Sequence, residues 1–297
     1  MSAASGSLAR RRALLAYALV APASVLILLI YIGPIIAVIF ASLTDYTLVR
    51  DGFSFVGLEN YTAMFADEAF ANALRNTVIY AAFFLPGAFF ISLFLALAIQ
   101  SRKKFRSVLE VLFFLPVTST LAAMALVWAA LMDSRQGVIN NTLTSFGLEP
   151  VNFLGDPGFV LAALAAISLW SIIGFNMVLF LAGLTAIPRN LYDAAAIDGA
   201  DHPVDRFFRV TWPMLAPTSV FVAVTTSITA FKLFDTVAVL TKGGPARSSE
   251  VFLYLTFLEG FEYFNMGYAA ALSVFFLGLI FVFALIQTLL SDRRINS

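Results

Sequence analysis

Of the 297 residues, 61% are hydrophobic and 12% charged, about half the charged share of a soluble domain. A chain so poor in charge cannot cover a water-facing surface, so lipid has to be part of its solvent. Cysteine is absent, the only histidine is His202 and the formal net charge is zero, which excludes disulfides, cysteine zinc sites and thiol nucleophiles and gives no sign of nucleic-acid binding.

A membrane-spanning helix needs about 20 predominantly apolar residues, and six runs meet that length. The first, Ala13–Leu43, follows Arg10, Arg11 and Arg12. It is far longer than the roughly 7–15 residues of a signal-peptide core, so a retained helix is predicted behind a short tail of residues 1–12. The second runs from Thr77 to Ile99, the third from Val108 to Met132 and the fourth from Phe159 to Leu184. The fifth runs from Leu215 to Leu240 and the sixth from Ala269 to Leu290. Pro22, Pro34, Pro86 and Pro116 fall in or beside these runs, which membranes tolerate where neighbouring groups satisfy the freed carbonyls. The expected fold class is an all-α integral membrane protein of about six transmembrane helices, with residues 13–297 as one membrane domain.

Lysine and arginine mark the cytoplasmic side. With six spans, the termini and the second and fourth loops carry twelve of them, the opposite side five, and Lys232 lies within the fifth run. Both termini are therefore expected in the cytoplasm. The outer loops, about 44–76, 133–158 and 241–268, contain amphipathic pieces such as LENYTAMFADEAFANALRN and are expected to fold as caps with short helices.

The cytoplasmic loop at 188–213 has internal order. Asn190 with Asp193 suggests a capped helix start, Leu191–Ile197 favours helix, Gly199 suits its C-terminal stop, and Pro203 with Asp205 suits the first turn of a second helix. A helix, a sharp turn and another helix are predicted at the membrane surface. DAAAIDGA at 193–200, followed by Phe207, Phe208 and Pro213, resembles the EAA loop of permease subunits of binding-protein-dependent ATP-binding-cassette importers. FVGLENYTAMF, GVINNTLTSFGLEPVNFLGDP and FDTVAVLTKGGP resemble the carbohydrate branch of that family, with its glycerol-phosphate, trehalose and maltose permeases, along nearly the whole chain.

The resemblance implies a type I importer permease fold in the bacterial inner membrane, passing an oligosaccharide, polyol or glycerol phosphate. It implies a coupling helix in which Asp193, Ala194, Ala195, Ala196, Asp198, Gly199, Ala200, Phe207, Phe208 and Pro213 meet a separate ATPase. Asp193 stands where the family usually has Glu, a shorter reach for the same charge. A second homologous permease, two ATP-binding subunits and an extracytoplasmic solute-binding protein are the implied partners, with ATP and Mg on the partner ATPases and no cofactor or metal on this chain. The sequence itself holds no G-x-x-x-x-G-K-[ST] phosphate loop, and its longest cytoplasmic piece is too short for a nucleotide-hydrolysing domain.

Charge within the membrane is costly and marks cavities or pairs. Lys232 and Asp235 stand three apart, and Thr225, Thr229, Lys232 and Thr236 follow helical spacing. They are expected either to form a structural ion pair or to give the fifth span a polar stripe along a solute path. Trp170, Phe175 and Asn176 in the fourth span offer an aromatic surface and an amide suited to a sugar, or plain helix packing. An alternative is an ion-coupled secondary transporter using Lys232 and Asp235. Asp193 and Asp198 lack any accompanying catalytic constellation, so no enzyme activity is expected.

Overall fold

The computed structural model describes residues 2–102, 104–200 and 202–295, with side chains between 14 and 289. Lys103 and the side chains of Arg10, Arg11, Arg12, Arg293 and Arg294, counted above for orientation, lie outside the described residues. Among those described, the regular structure is helical apart from one isolated antiparallel bridge, Thr44 with Phe55.

Four helical segments are long and apolar enough to cross a membrane, or up to six if two bent pairs each count as one span. The first joins α1 (Ser2–Ile27) to α2 (Gly33–Ala41) through a π-helical turn at Leu28–Ile32. Pro34 has no N–H to offer the carbonyl four residues back, which lies within that turn. A short helix α3 (Glu59–Ala66) precedes the second span, α4 (Glu68–Gln100), whose N-cap Asp67 accepts from the backbone of Ala69 at 2.8 Å.

The third run is not straight. Helix α5 (Arg106–Phe114) tightens into a 3₁₀ turn at Leu115–Thr118, and α6 (Leu121–Leu131) leaves at 101°. Pro116 opens the tight turn, while Ser119 and Thr120 are extended. After α7 (Val138–Ser145), α8 (Val160–Ala186) forms the fourth span, followed by α9 (Arg189–Ile197) and the single turn α10 (Pro203–Arg206). A π turn at Phe207–Thr211 and α11 (Trp212–Met214) lead into α12 (Ala216–Phe231), bent by 68° from the segment before it. Counted as one span, this bent pair would start at Pro203; its second helix stops at Phe231, and residues 232–234 are not helical. A π turn at Val237–Thr241, α13 (Phe252–Phe257), another π turn at Leu258–Glu262 and the last span α14 (Met266–Ile295) complete the order.

The chain forms two compact units. One comprises residues 1–66 and 256–275. There Asn60 donates to the carbonyls of Ser42 and Thr44, both at 2.9 Å, and Tyr61 shares a 2.8 Å hydrogen bond with the Ser42 hydroxyl. Gly267 is required by a close approach: a Cβ at that position would lie 2.1 Å from the carbonyl oxygen of Thr44. The Ser54 backbone N–H, and then the Arg50 guanidinium, hold the Asp45 carboxyl below the usual carboxylate range.

The other unit comprises residues 67–255 and 276–297. Its core is the seam of α4, α8 and α12, where Leu93, Ala96, Phe180, Leu184, Leu215 and Val222 are buried together. Inside a bilayer, close van der Waals packing and interhelical hydrogen bonds hold helices together, because the tails of the lipid are as apolar as the side chains. Small residues sit at the crossings accordingly. A Cβ on Gly174 would fall 1.9 Å from the Phe113 carbonyl oxygen, and one on Gly183 2.5 Å from the Thr218 hydroxyl. Ser92 donates to the carbonyl of Ile173 at 3.0 Å across the same seam.

Candidate functional site

The 188–213 loop is built as a braced pair of short helices. Pro188, fixed in φ and lacking an N–H, stands at the N-cap without a side-chain cap, so α9 starts before Asn190 and that residue lies in its first turn. The far end closes as a Schellman turn. Gly199, at φ +82°, donates to Ala196, and Ala200 donates to Ala195 at 2.8 Å. The second helix starts at Pro203, with the His202 ring nitrogen Nδ1 accepting from the backbone of Val204 at 3.3 Å. Two side chains tie the halves together. Arg206 Nε donates to the carbonyl of Ala200 at 2.9 Å, and the hydroxyls of Tyr192 and Thr211 lie 3.0 Å apart.

This brace has two faces. Ala200 is fully buried, while Tyr192, Ala195, Phe207 and Trp212 pack on the core of α4, α8 and α12. Asp193, Ala194, Asp198 and Gly199 are exposed, and Ile197 is 87% exposed. Ala196 lies between these extremes. The structure separates the two expected phenylalanines. Phe207 turns inward, with its ring 6.0 Å from Trp212, and Phe208 is 63% exposed. Pro213, itself exposed, removes one helical donor just after the π turn of 207–211.

The polar residues of the spans are only partly brought together. Asn176 is buried and donates to the Thr226 hydroxyl at 2.9 Å, a bond between α8 and α12. Trp170 is half-buried, edge-on to Trp128 at 5.7 Å, and Phe175 is exposed. Thr225 and Thr229 return their hydroxyl protons to carbonyls four residues back in α12. The stripe expected to continue through Lys232 and Asp235 is interrupted. Lys232 caps the C-terminus of α12, the helix resumes at Asp235, and both side chains are exposed. Arg50–Asp45, Arg106–Glu110 and Arg247–Glu250 form ion pairs, whereas the structural pair of Lys232 with Asp235 is not formed. Each charge instead stands at a helix end of the sign that favours it, the cation at a C-terminus and the anion where helix restarts. Among the described residues no group of three or more His, Asp or Glu could hold a metal ion.

Residues 69–296 match the model of a family described as binding-protein-dependent transport system inner membrane component. The chain belongs to this family. The permease component is 33% identical over 262 residues to the sulfoquinovosyl glycerol transport system permease protein SmoG of Agrobacterium fabrum, covering 88% of this chain and 85% of SmoG. It is also 33% identical over 276 residues to the sn-glycerol-3-phosphate transport system permease protein UgpA of Salmonella typhi, covering 92% of each. In fold it resembles a chain of a bacterial alginate ABC transporter in complex with an alginate pentasaccharide-bound periplasmic protein, with TM-score 0.84 and 23% identity over 97% of both chains. That likeness carries the fold alone. The permease is thus a multi-pass inner-membrane component of a transport system.

A second built feature of the permease escaped the sequence reading. The loop after the fifth span is clasped onto α4. Asn72 and Asn76 both donate to the carbonyl of Arg247, at 2.8 and 3.0 Å, and Asn76 also donates to the carbonyl of Glu250 at 2.9 Å. Arg247 grips the buried Glu250 carboxylate through both oxygens, at 3.0 and 2.6 Å, and Thr77 accepts from the backbone of Phe252 at 2.9 Å. Lys242, Ala246 and Arg247 all hold positive φ here, a strained conformation that persists only where surrounding bonds enforce it. The signal that could have found it is the pair of asparagines one helical turn apart near the start of the long helix α4.

Proposed function

We propose that this permease passes a sugar or sugar-like solute, of the oligosaccharide, polyol or glycerol phosphate class, into the cytoplasm, and that a separate ATPase drives it through the 188–213 loop. The observation that carries this reading is the division of that loop into an inner face seated on the span core and an outer face showing Asp193, Ala194, Ile197, Asp198 and Phe208. A rigid brace seated this way moves the spans when its outer face is pushed. The small residues admit close approach of a partner, and the two carboxylates offer charge to its basic groups.

On this reading ATP and Mg reside on two ATP-binding subunits, a second homologous permease completes the solute path, and an extracytoplasmic solute-binding protein delivers the cargo. This chain hydrolyses nothing itself, and both termini face the cytoplasm. The names of SmoG and UgpA support the solute class. Asn176, Thr225, Thr229 and the helix break at Lys232 and Asp235 are assigned to the path, with Trp170 and Phe175 as its aromatic surface.

The test is import into vesicles holding the assembled complex, together with recovery of the ATPase by pull-down. Changing Ile197→Asp should sharply reduce both import and recovery, whereas Lys232→Ala should reduce import and leave recovery intact. Import that survives Ile197→Asp with the ATPase still attached would overturn the coupling role. Import that runs without ATP and follows an ion gradient would favour the ion-coupled alternative.

A further inference from the structure

The break in the fifth span has no cause in its own sequence. Sharp breaks in a helix come from proline, glycine or an inserted π turn, and residues 231–236 read FKLFDT. The π turn at Val237–Thr241 begins only after helix has resumed at Asp235. Lysine and leucine are good helix formers. The break is therefore held from outside. On one side of it the Phe231 ring packs edge-on against Phe276 and Phe283 of α14, at 6.2 and 5.3 Å. On the other, the Phe234 ring lies 6.2 Å from that of Tyr254 in α13, and Leu233 between them is buried.

Three side chains register what the break costs. Thr225, Ser227 and Thr229 each return a hydroxyl proton to the carbonyl four residues back, at 2.8, 2.7 and 3.0 Å. Thr236 has the same relation to Lys232, but the non-helical residues 232–234 lie between them. Its hydroxyl is wholly buried and has no hydrogen-bond partner among the described residues. Lys232 and Asp235, both exposed, stand three apart and yet do not pair. A continuous helix would answer all three at once. The Thr236 hydroxyl would reach the Lys232 carbonyl, and Lys232 and Asp235 would become neighbours on one face. Aromatic seating thus favours the break and local bonding favours the helix, the two opposed preferences from which a bistable element is made.

We propose that residues 231–236 are a switch in the solute path. Broken, as here, the segment offers Lys232 and Asp235 to the polar groups of the solute. Wound into helix, it pairs the two charges with each other and withdraws them. Winding therefore drives release of the solute. This inference rests on the import reading, and its tests let the two fail separately.

The assembled complex in nanodiscs is followed by hydrogen exchange and mass spectrometry, at rest and after trapping with ATP and vanadate. Exchange in peptides covering 231–236 should differ about tenfold between the two states, with little change over 216–229. Lys232→Asp and Asp235→Lys should each lower import about tenfold, and the double reversal should restore about half of it, because a pair needs only opposite signs. Thr236→Val removes a hydroxyl that is orphaned in the broken form. It should raise the unfolding midpoint of the resting complex by about 3 °C while slowing import. Exchange alike in both states, or single reversals whose damage the double reversal leaves unrepaired, would overturn the switch and leave the import reading standing. Import untouched by either reversal would remove both charges from the path, and the switch with them.

Discussion

Two loops of the permease solve the same problem in opposite ways. The 242–252 loop closes on itself: its carbonyls are met by Asn72 and Asn76, its carboxylate by Arg247, and Glu250 is 5% exposed. The 188–213 loop is equally well braced within, yet leaves Ile197, Val204 and Phe208 uncovered. The first is finished by the chain's own bonds. On the proposed coupling role, the second is finished by the partner placed against it. A loop complete in itself contributes to stability, whereas a loop complete only in company contributes to assembly, and substitutions should separate the two.

The largest effect is expected at the clasp. Asn76→Leu strands the buried carbonyl of Glu250, at about 1–3 kcal/mol, and leaves that of Arg247 to Asn72 alone. The purified permease should lose roughly 5–10 °C in its unfolding midpoint, and the folded fraction should still recover the ATPase. An unchanged midpoint would break the comparison on this side. Next, Ile197→Asp removes a side chain whose burial against a partner is worth about 2 kcal/mol. Affinity for the ATPase should fall about 30-fold, with no change in the unfolding midpoint. If the midpoint falls instead, the outer face belongs to the permease's own fold.

Thr77→Val is a smaller version of the first test. It takes one acceptor from the Phe252 backbone and should cost about 1 kcal/mol, read again from thermal unfolding. Smallest is Asp193→Glu, at the position where the family usually has Glu. Exposed ion pairs are worth about 0–1 kcal/mol, so ATPase affinity should shift by no more than about fivefold. A larger gain would mean that the shorter carboxylate fails to reach a specific partner.

How much of this was legible in the sequence follows from what sequence patterns measure. Hydropathy counts apolar length, so it found every region that can span, but it is blind to direction. The 101° bend after Thr118 lies inside a run that read as uninterrupted, hinted at only by Pro116, and the 68° bend after Met214 falls where the fifth run begins, beside Pro213. Helical spacing assumes a continuous helix. It placed Thr225 and Thr229 correctly on α12 and then carried Lys232 and Asp235 onto a face that the break at 232–234 removes. In the 188–213 loop the determinants are local, and the turn at Gly199 was readable from a single residue, although Pro188 shifted the helix start away from Asn190. The clasp joins residues 171–175 positions apart, a pairing no window along one sequence can register.

The contact of Gly174 with the carbonyl of Phe113 bears on how the spans are free to move. No side chain lies between α5 and α8 at that point, so nothing there can change rotamer to absorb sliding. The two rods touch as bare backbones, and their remaining freedom is to scissor about that point, like blades about a rivet. On the proposed coupling role, a thrust arriving through α9 at the end of α8 would swing the lower half of the third span about that point.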